Sequence, residues 1–308
     1  MIIEIKGSLT GLTVKEVLYR NGISHGLITH LKKLETGITV NGEHATVRRI
    51  LNNGDILSLE TEDRAEDENE FLTPTEIPLD IIYEDDDLIA VNKPPNMATH
   101  PSLGHFDDTL ANGLAYYFTS RGIPFVFRAV NRLDRDTSGV VLVAKNRISA
   151  ARLTTLMQSG KMQKSYIAVL GGVLSPQNGV IETYIRRREA SVMLREVCDS
   201  AAEGAKFALT HYETLAVGNG ASIVRAEPLT GRTHQLRVHF SYAGAPIVGD
   251  SFYGTAESSP TELDRLIPRQ ALHAASLKID FGERVLTLDA ALPSDMESLC
   301  QLVKGAKT

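Results

Sequence analysis

The feature that most limits how this 308-residue chain can fold is an acidic interruption about a fifth of the way along it. Thr61 to Glu70 reads TEDRAEDENE, six acids against one arginine, and apolar periodicity does not resume before about Glu76. A run of this kind has too little apolar surface to offset the entropy of folding and stays solvated. The chain is therefore expected to divide into a module over 1–60, an acidic linker over 61–76 and a large domain over 77–308. The same run explains the overall charge: of a formal −6 it holds −5, leaving −1 for everything else. Charges are screened over roughly 8–10 Å, so a near-neutral remainder can still carry a basic face. The total charge excludes no class of partner.

In the first module Val14, Val17 and Leu18 fall at helical spacing before Gly22, and Leu27, Ile28, Leu31 and Leu34 mark a second helix. GITVNGEHATV and GDILSLE follow as short strand-like runs, with Asn41-Gly42 as a hairpin turn. His30, Lys32, Lys33, Arg48 and Arg49 cluster around these elements.

Beyond the linker, strand-like and helical segments alternate without βαβ regularity. IPLDIIYEDDDLIAVNKPP reads as two strands meeting at an acidic turn, Thr109 to Thr119 as a helix and GVVLVAK as a buried strand. ISAARLTTLMQSG reads as an amphipathic helix, whereas KSYIAVLGG, FALTHYETLAV, ASIVRAEP and RVLTLDA read as strands. Many strands with few helices in mixed order imply an α+β domain around a mixed, largely antiparallel sheet. No GxxxxGK[ST] loop is present, which argues against ATP-driven chemistry and a nucleotide cofactor. Cys198 and Cys300 are two isolated thiols, too few for a disulfide framework and suited to a reducing compartment. Apolar runs such as VVLVA are far shorter than the ~20 residues a membrane helix needs. The first residues lack the basic and apolar regions of a leader. A cytoplasmic location is expected.

Three segments carry candidate chemistry. VNRLDRDTSGVVLVAKN places Asp134 and Arg132 just ahead of a Thr137-Ser138-Gly139 turn and a buried strand, where catalytic loops commonly lie. Capped turns use the same residues, so this segment by itself is equally consistent with a plain bend. TGRTHQLRVHF gathers Arg232, His234, Gln235, Arg237 and His239, more hydrogen-bonding groups than a solvated helix face requires. KSYIAVLGG sets Tyr166 in an apolar strand, with either a core role or a hydroxyl aimed at a ligand. His234 and His239 are five residues apart, not the four that puts two ligands on one helical face, so no metal site is expected.

Taken in order, RLDRDTSGVVLVAK, KSYIAVL, PLTGRTHQLRVHFSYAGAPIVGD and ALHA resemble the motifs of the RluA-type pseudouridine synthases, from about Ile77 to the end. The first module resembles the αL RNA-binding domain of a ribosomal protein, tyrosyl-tRNA synthetases and several RNA-modifying enzymes. The resemblance implies a catalytic sheet domain with a central cleft, isomerising uridine in structured RNA, ribosomal large-subunit RNA before tRNA. Asp134 then matches the essential carboxylate, Tyr166 the tyrosine that stacks on uracil and assists deprotonation, and Arg237 the aspartate's basic partner. Arg132 matches the arginine that braces the stack left by the flipped nucleotide. Asn131, Arg232, His234 and Gln235, with Lys32 and Lys33 of the first module, are expected to hold the RNA. Asn131 departs from the family, which has histidine there; asparagine can hydrogen-bond but carries no charge.

The implied chemistry is self-consistent. Breaking a carbon–nitrogen glycosidic bond, turning the base and rejoining it through carbon oxidises nothing and needs no cofactor. It does need a carboxylate as nucleophile or base, kept ionised in a dry pocket by a nearby cation. The arginine-rich YIRRREASVMLRE, with Lys161 and Lys164, is either a phosphate-tracking edge or a solvated hairpin. Two other readings remain open on the residues: an RNA-binding assembly factor without activity, and a hydrolase using Asp134 with Asp136. A monomer is expected.

Overall fold

The computed structural model describes residues 1–60, 72–189, 191–254, 262–282 and 284–305. The expected linker lies mostly outside the described residues. Its last part, 72–76, is packed rather than free: Leu72 is buried with Ala111 and Ala115, and the Thr75 N–H donates to the Asn112 carbonyl at 3.2 Å.

The first module contains β1 (Ile2–Glu4), α1 (Val14–Arg20), α2 (His25–Leu31), β2 (Ile38–Val40), β3 (Glu43–His44) and β4 (Ile56–Leu59). Helix α1 starts at Thr13, where the Thr13 side chain and Glu16 cap one another reciprocally, and α2 starts at Ser24. Asn41 and Gly42 both take positive φ, 56° and 84°, as the tight turn between β2 and β3 requires. The strands form an antiparallel sheet ordered β1-β4-β2-β3. Its core joins the apolar stripes of both helices to Ile38, Val40 and Leu57, and extends to Ile148 of the large domain.

The large domain is built on one ten-stranded sheet. It comprises β5 (Ile81–Glu84), β6 (Leu88–Lys93), β7 (Ser138–Ala144), β8 (Met162–Leu170), β9 (Asn178–Arg187) and β10 (Arg195–Cys198). The remainder are β11 (Lys206–Gly218), β12 (Ala221–Pro228), β13 (Leu272–Asp280) and β14 (Val285–Asp289). The order is β10-β9-β11-β12-β8-β13-β7-β6-β5, with β14 also on β13, and only the β13–β7 pairing is parallel. Every residue of β7 is buried, because both faces of the sheet are covered. Val141 and Val143 face a core shared with α3 (Leu110–Thr119), α5 (Gln235–Tyr242) and α6 (Ser294–Val303). Val140, Leu142 and Ala144 face the opposite core, with Leu153 of α4 (Arg147–Gln158).

The parallel junction depends on one glycine. Gly139 has φ +114°, and a Cβ there would lie 2.2 Å from the Ala274 carbonyl oxygen. Only a residue without a side chain lets β7 approach β13 this closely. Residues 131–138 lead directly into that junction. The fold is thus the expected α+β arrangement, with β1, β13 and α6 added to the elements legible in sequence.

Candidate active site

The loop ahead of β7 is held from several directions. The Thr137 N–H closes a turn onto the Asp134 carbonyl at 3.1 Å. Thr99 Oγ1 donates to the Leu133 carbonyl at 3.0 Å and accepts from the Leu133 N–H at 3.3 Å. Arg269 Nη1 donates to the Asp136 carbonyl at 3.0 Å, while its Nε and Nη2 clamp Asp295 at the start of α6 at 2.8 and 2.9 Å. Gln270 Nε2 donates to Thr137 Oγ1 at 3.2 Å.

Beneath the loop lies a lysine with no accessible surface. Lys93 Nζ donates to the carbonyls of Pro94, Met97 and Arg135 at 2.8, 2.8 and 3.0 Å. Burial pulls its pKa down to about 7, against the charges of Asp136 and Asp134, which raise it. Three carbonyls around one nitrogen match the three protons of an ammonium, so the charged form is the one this cage fits. Lys93 thus ties the end of β6 to the backbone of the Asp134 loop.

Helix α5 brings the opposing charge. Arg237 Nε and Nη2 donate to both oxygens of Asp250 at 2.7 and 2.8 Å, and Nη1 donates to Asp134 Oδ2 at 3.2 Å. The side chains of Arg237 and Asp250 are 5% and 0% exposed, whereas Asp134 is 30% exposed. One guanidinium is therefore fixed by an internal carboxylate and presents its free edge to one that reaches solvent. Burial by itself would lower the Arg237 pKa, but Asp250 and then Asp134 more than reverse this and hold the guanidinium charged.

Asp250 also accepts the N–H groups of Phe252 and Tyr253 at 2.9 and 3.1 Å, which places the Tyr253 ring. The Tyr253 hydroxyl accepts from the Arg195 N–H at 2.9 Å and lies 2.8 Å from His234 Nδ1. We assign the hydroxyl proton to Nδ1, leaving Nε2 to carry the ring proton 3.8 Å from Asp134 Oδ2. Burial lowers the His234 pKa and so favours that neutral ring, although the charge of Asp134 pulls the other way. His234 itself adopts φ 56°, a left-handed conformation forced at the entry to α5.

Tyr166 stands in β8, its ring packed in the main core and 9% exposed. Burial, and after it the charge of Asp134, push its phenol well above the ordinary value, so it is protonated at neutral pH. Among the described residues none hydrogen-bonds its hydroxyl. A carboxylate backed by a buried guanidinium, beside a neutral phenol and an aromatic face, can act as nucleophile or base on a bound flat ring.

Similarity to known proteins identifies the family. A family model described as RNA pseudouridylate synthase matches residues 87–242, a stretch that contains Asp134, Tyr166 and Arg237. This chain belongs to that family. An RNA pseudouridine synthase of Bacillus subtilis, YjbO, is 35% identical over 296 residues, 96% of this chain and 99% of the relative. The ribosomal large subunit pseudouridine synthase D of Vibrio cholerae is 36% identical over 276 residues, 85% of this chain and 82% of the relative. Human RNA pseudouridylate synthase domain containing 1 superposes with a TM-score of 0.60 at 30% identity, covering 72% of this chain and 87% of that one. The enzyme is a pseudouridine synthase, and RNA is its substrate.

Not every residue expected to hold RNA is free in this synthase to do so. Asp134, Arg237 and His234 converge, and Arg132 is exposed beside them on the same loop. Asn131 is buried at 7%: its Nδ2 donates to the Val140 carbonyl at 2.9 Å and its Oδ1 accepts from the Leu142 N–H at 2.8 Å. Both halves of that amide brace β7. Gln235 is likewise internal, bonding Thr230, the Arg232 N–H, the Leu209 carbonyl and Thr210. It locks the entry of α5 onto β11. Lys32 and Lys33 are exposed at the end of α2 in the first module. Asp136 turns to its neighbour Arg135 at 3.2 Å.

Lys93, Tyr253 and Arg269 lie outside the segments that mark the site in sequence, and Asp250 closes PLTGRTHQLRVHFSYAGAPIVGD with no role assigned to it there. The one available signal was a lysine closing an apolar strand before two prolines, in LIAVNKPP. Among the described residues no group of three or more His, Cys, Asp or Glu is arranged to hold a metal, and no helix is long and apolar enough to cross a membrane.

Proposed function

We propose that this synthase isomerises specific uridines of large-subunit ribosomal RNA, with Asp134 as the catalytic carboxylate. The observation that carries the assignment is the Asp134–Arg237–Asp250 arrangement, in which a buried guanidinium anchored from behind faces one solvent-reaching carboxylate. The target nucleotide leaves its stack, at a cost of a few kcal/mol. Stacking of the uracil on Tyr166, worth roughly 1–3 kcal/mol, offsets much of that cost. Asp134 then attacks the anomeric carbon or removes a proton from the sugar, and Arg237 stabilises its charge throughout. The Tyr166 phenol, protonated in the free enzyme, assists proton movement at the base once uracil lies against it. Arg132 braces the gap left in the RNA.

The first module acts as an αL-type RNA-binding domain, a reading supported by its two short helices feeding an Asn-Gly hairpin and by exposed Lys32 and Lys33. Relatives of this chain named for the large ribosomal subunit favour ribosomal RNA over tRNA. The enzyme works as a cytoplasmic monomer.

The test is RNA from a strain lacking the gene, mapped for pseudouridine by carbodiimide-blocked primer extension. A stop in large-subunit RNA that disappears on deletion, and returns with the wild-type gene but not with Asp134→Asn, is the expected result. Stops unchanged in ribosomal RNA but lost from tRNA would overturn the substrate assignment. Restoration by Asp134→Asn would overturn the catalytic one.

A further inference from the structure

A cavity of about 380 Å³ opens where the β9–β10 hairpin meets the segment leading into α5, lined by Arg186, Arg187, Arg195, Lys206 and Arg232 against one acid, Glu203. Its charges are not equivalent. Arg186 is neutralised by Glu196 at 2.8 Å and Glu189 at 3.7 Å. Among the described residues, Arg195 and Arg232 are held without any carboxylate. Arg195 Nη1 donates to the Val192, Met193 and Leu194 carbonyls at 3.3, 3.1 and 3.0 Å, and Arg232 Nε donates to the Phe207 carbonyl at 2.8 Å. Bonds to carbonyls orient a guanidinium and leave its charge uncompensated. Among the described residues Arg187 and Lys206 are both exposed and have no acidic partner. Unpaired cations converging on one hollow repel each other, so the arrangement favours a polyanion that enters it.

The hollow also adjoins the candidate active site. Thr233, on its wall, precedes His234, and the Arg195 N–H reaches the Tyr253 hydroxyl that holds His234 beside Asp134. We propose that this cavity seats two phosphates of the RNA strand adjoining the target uridine, with Arg187 and Lys206 as the main ligands and Arg195 and Arg232 as oriented supports. The proposal rests on the reading that Asp134 acts on uridine in RNA. It adds that this end of the cleft fixes the register of the strand, so that backbone contacts, not base contacts, bring the uridine to Tyr166. Phosphate contacts of this kind position a nucleic acid without reading its sequence.

The full chain is used for the test, with an in vitro transcript of the source strain's large-subunit ribosomal RNA as the probe. Affinity is measured over a salt series in the Asp134→Asn background, with and without Arg187→Ala plus Lys206→Ala. A control carries Lys278→Ala plus Lys304→Ala, exposed positions outside the cavity that remove the same charge. Each phosphate contact contributes about 0.7–0.9 to the slope of log affinity against log salt, so losing two lowers the slope by about 1.5. The expected result is that drop with roughly tenfold weaker binding for the cavity pair, and little change for the control. With Asp134 restored, the cavity pair should show a raised KM and a kcat within about threefold of wild type. Equal effects from both pairs, or none from the cavity pair while the wild type forms pseudouridine, would overturn the proposal. A wild-type enzyme that forms none would overturn the reading beneath it.

Discussion

Replacing Asp250 by asparagine removes one charge and almost no volume, at a carboxylate with no solvent exposure. In the wild type Oδ1 accepts from Arg237 Nη2 and from the Phe252 and Tyr253 N–H groups, while Oδ2 accepts from Arg237 Nε at 2.7 Å. An asparagine oxygen in the Oδ1 position keeps three of these four bonds. Its NH2 group then meets the Arg237 Nε–H donor to donor. The buried guanidinium keeps its Nη2 bond to a now neutral oxygen, and the carboxylate left to it is Asp134, 3.2 Å away on its solvent side. Removing one partner of a buried ion pair typically costs about 3–5 kcal/mol, and Asp250→Asn should lose stability in that range. The same change at Asp134 should behave differently. Asp134 is 30% exposed and its carboxylate accepts one hydrogen bond, from Arg237, with His234 Nε2 farther off at 3.8 Å, so Asp134→Asn should cost under about 1 kcal/mol while abolishing turnover. Urea denaturation followed by circular dichroism, with turnover on ribosomal RNA, separates the two. Asp250→Asn within 1 kcal/mol of wild type, or Asp134→Asn equally destabilised, would refute the view that Asp250 anchors Arg237 and Asp134 uses it.

Other consequences follow from individual contacts. Lys93→Met leaves the Pro94 and Met97 carbonyls without the ammonium and the Arg135 carbonyl with the Met97 N–H alone, and should cost about 2–4 kcal/mol and lower kcat by about tenfold or more as the loop loosens; wild-type stability and turnover in that variant would contradict the cage. Tyr166→Phe keeps the ring and should leave KM near wild type while kcat falls by about a hundredfold, whereas equal loss in both parameters would make the hydroxyl a binding group. Burial holds His239, wedged between Thr183 and Thr210, down to about 4 from an ordinary 6.5. Between those values the unfolded chain binds a proton that the folded one does not, so stability falls as pH drops. The loss should reach roughly 2 kcal/mol from pH 7 to 5. Denaturation at both pH values should show that loss shrinking in His239→Gln, and an unchanged loss would assign it to other groups.

Much of this protein is legible in its sequence where local chemistry decides structure. Thr13 and Glu16 start a helix, Asn41-Gly42 turns a hairpin, and VVLVA makes a strand covered on both faces. Strand β13 escaped notice for a physical reason. Its pairing with β8 shifts between His273 and Ser276, and its other edge changes partner from β7 to β14, so no alternating pattern survives. The site divides in the same way. Asp134, Tyr166 and Arg237 lie in recognisable segments, as does Asp250, 13 residues beyond Arg237, but Lys93 and Arg269 act through contacts spanning 42 and 133 residues of chain. Asn131 and Gln235 show the converse. As polar residues inside functional motifs they suggest ligand contact, and only the packing reveals that their amides are engaged, Asn131 by the backbone of β7 and Gln235 by backbone and neighbouring side chains.

The central claim is that Asp134, set against Arg237, performs the isomerisation. When uracil is rejoined to the sugar through its carbon, the hydrogen on that carbon is released to water. A transcript labelled with tritium at C5 of uridine therefore reports the reaction without separating products. Under single-turnover conditions with enzyme in excess, wild type should release tritium stoichiometric with the modified sites. Asp134→Asn should bind the transcript with wild-type affinity and release none. Release by Asp134→Asn at a rate near that of wild type would contradict the account.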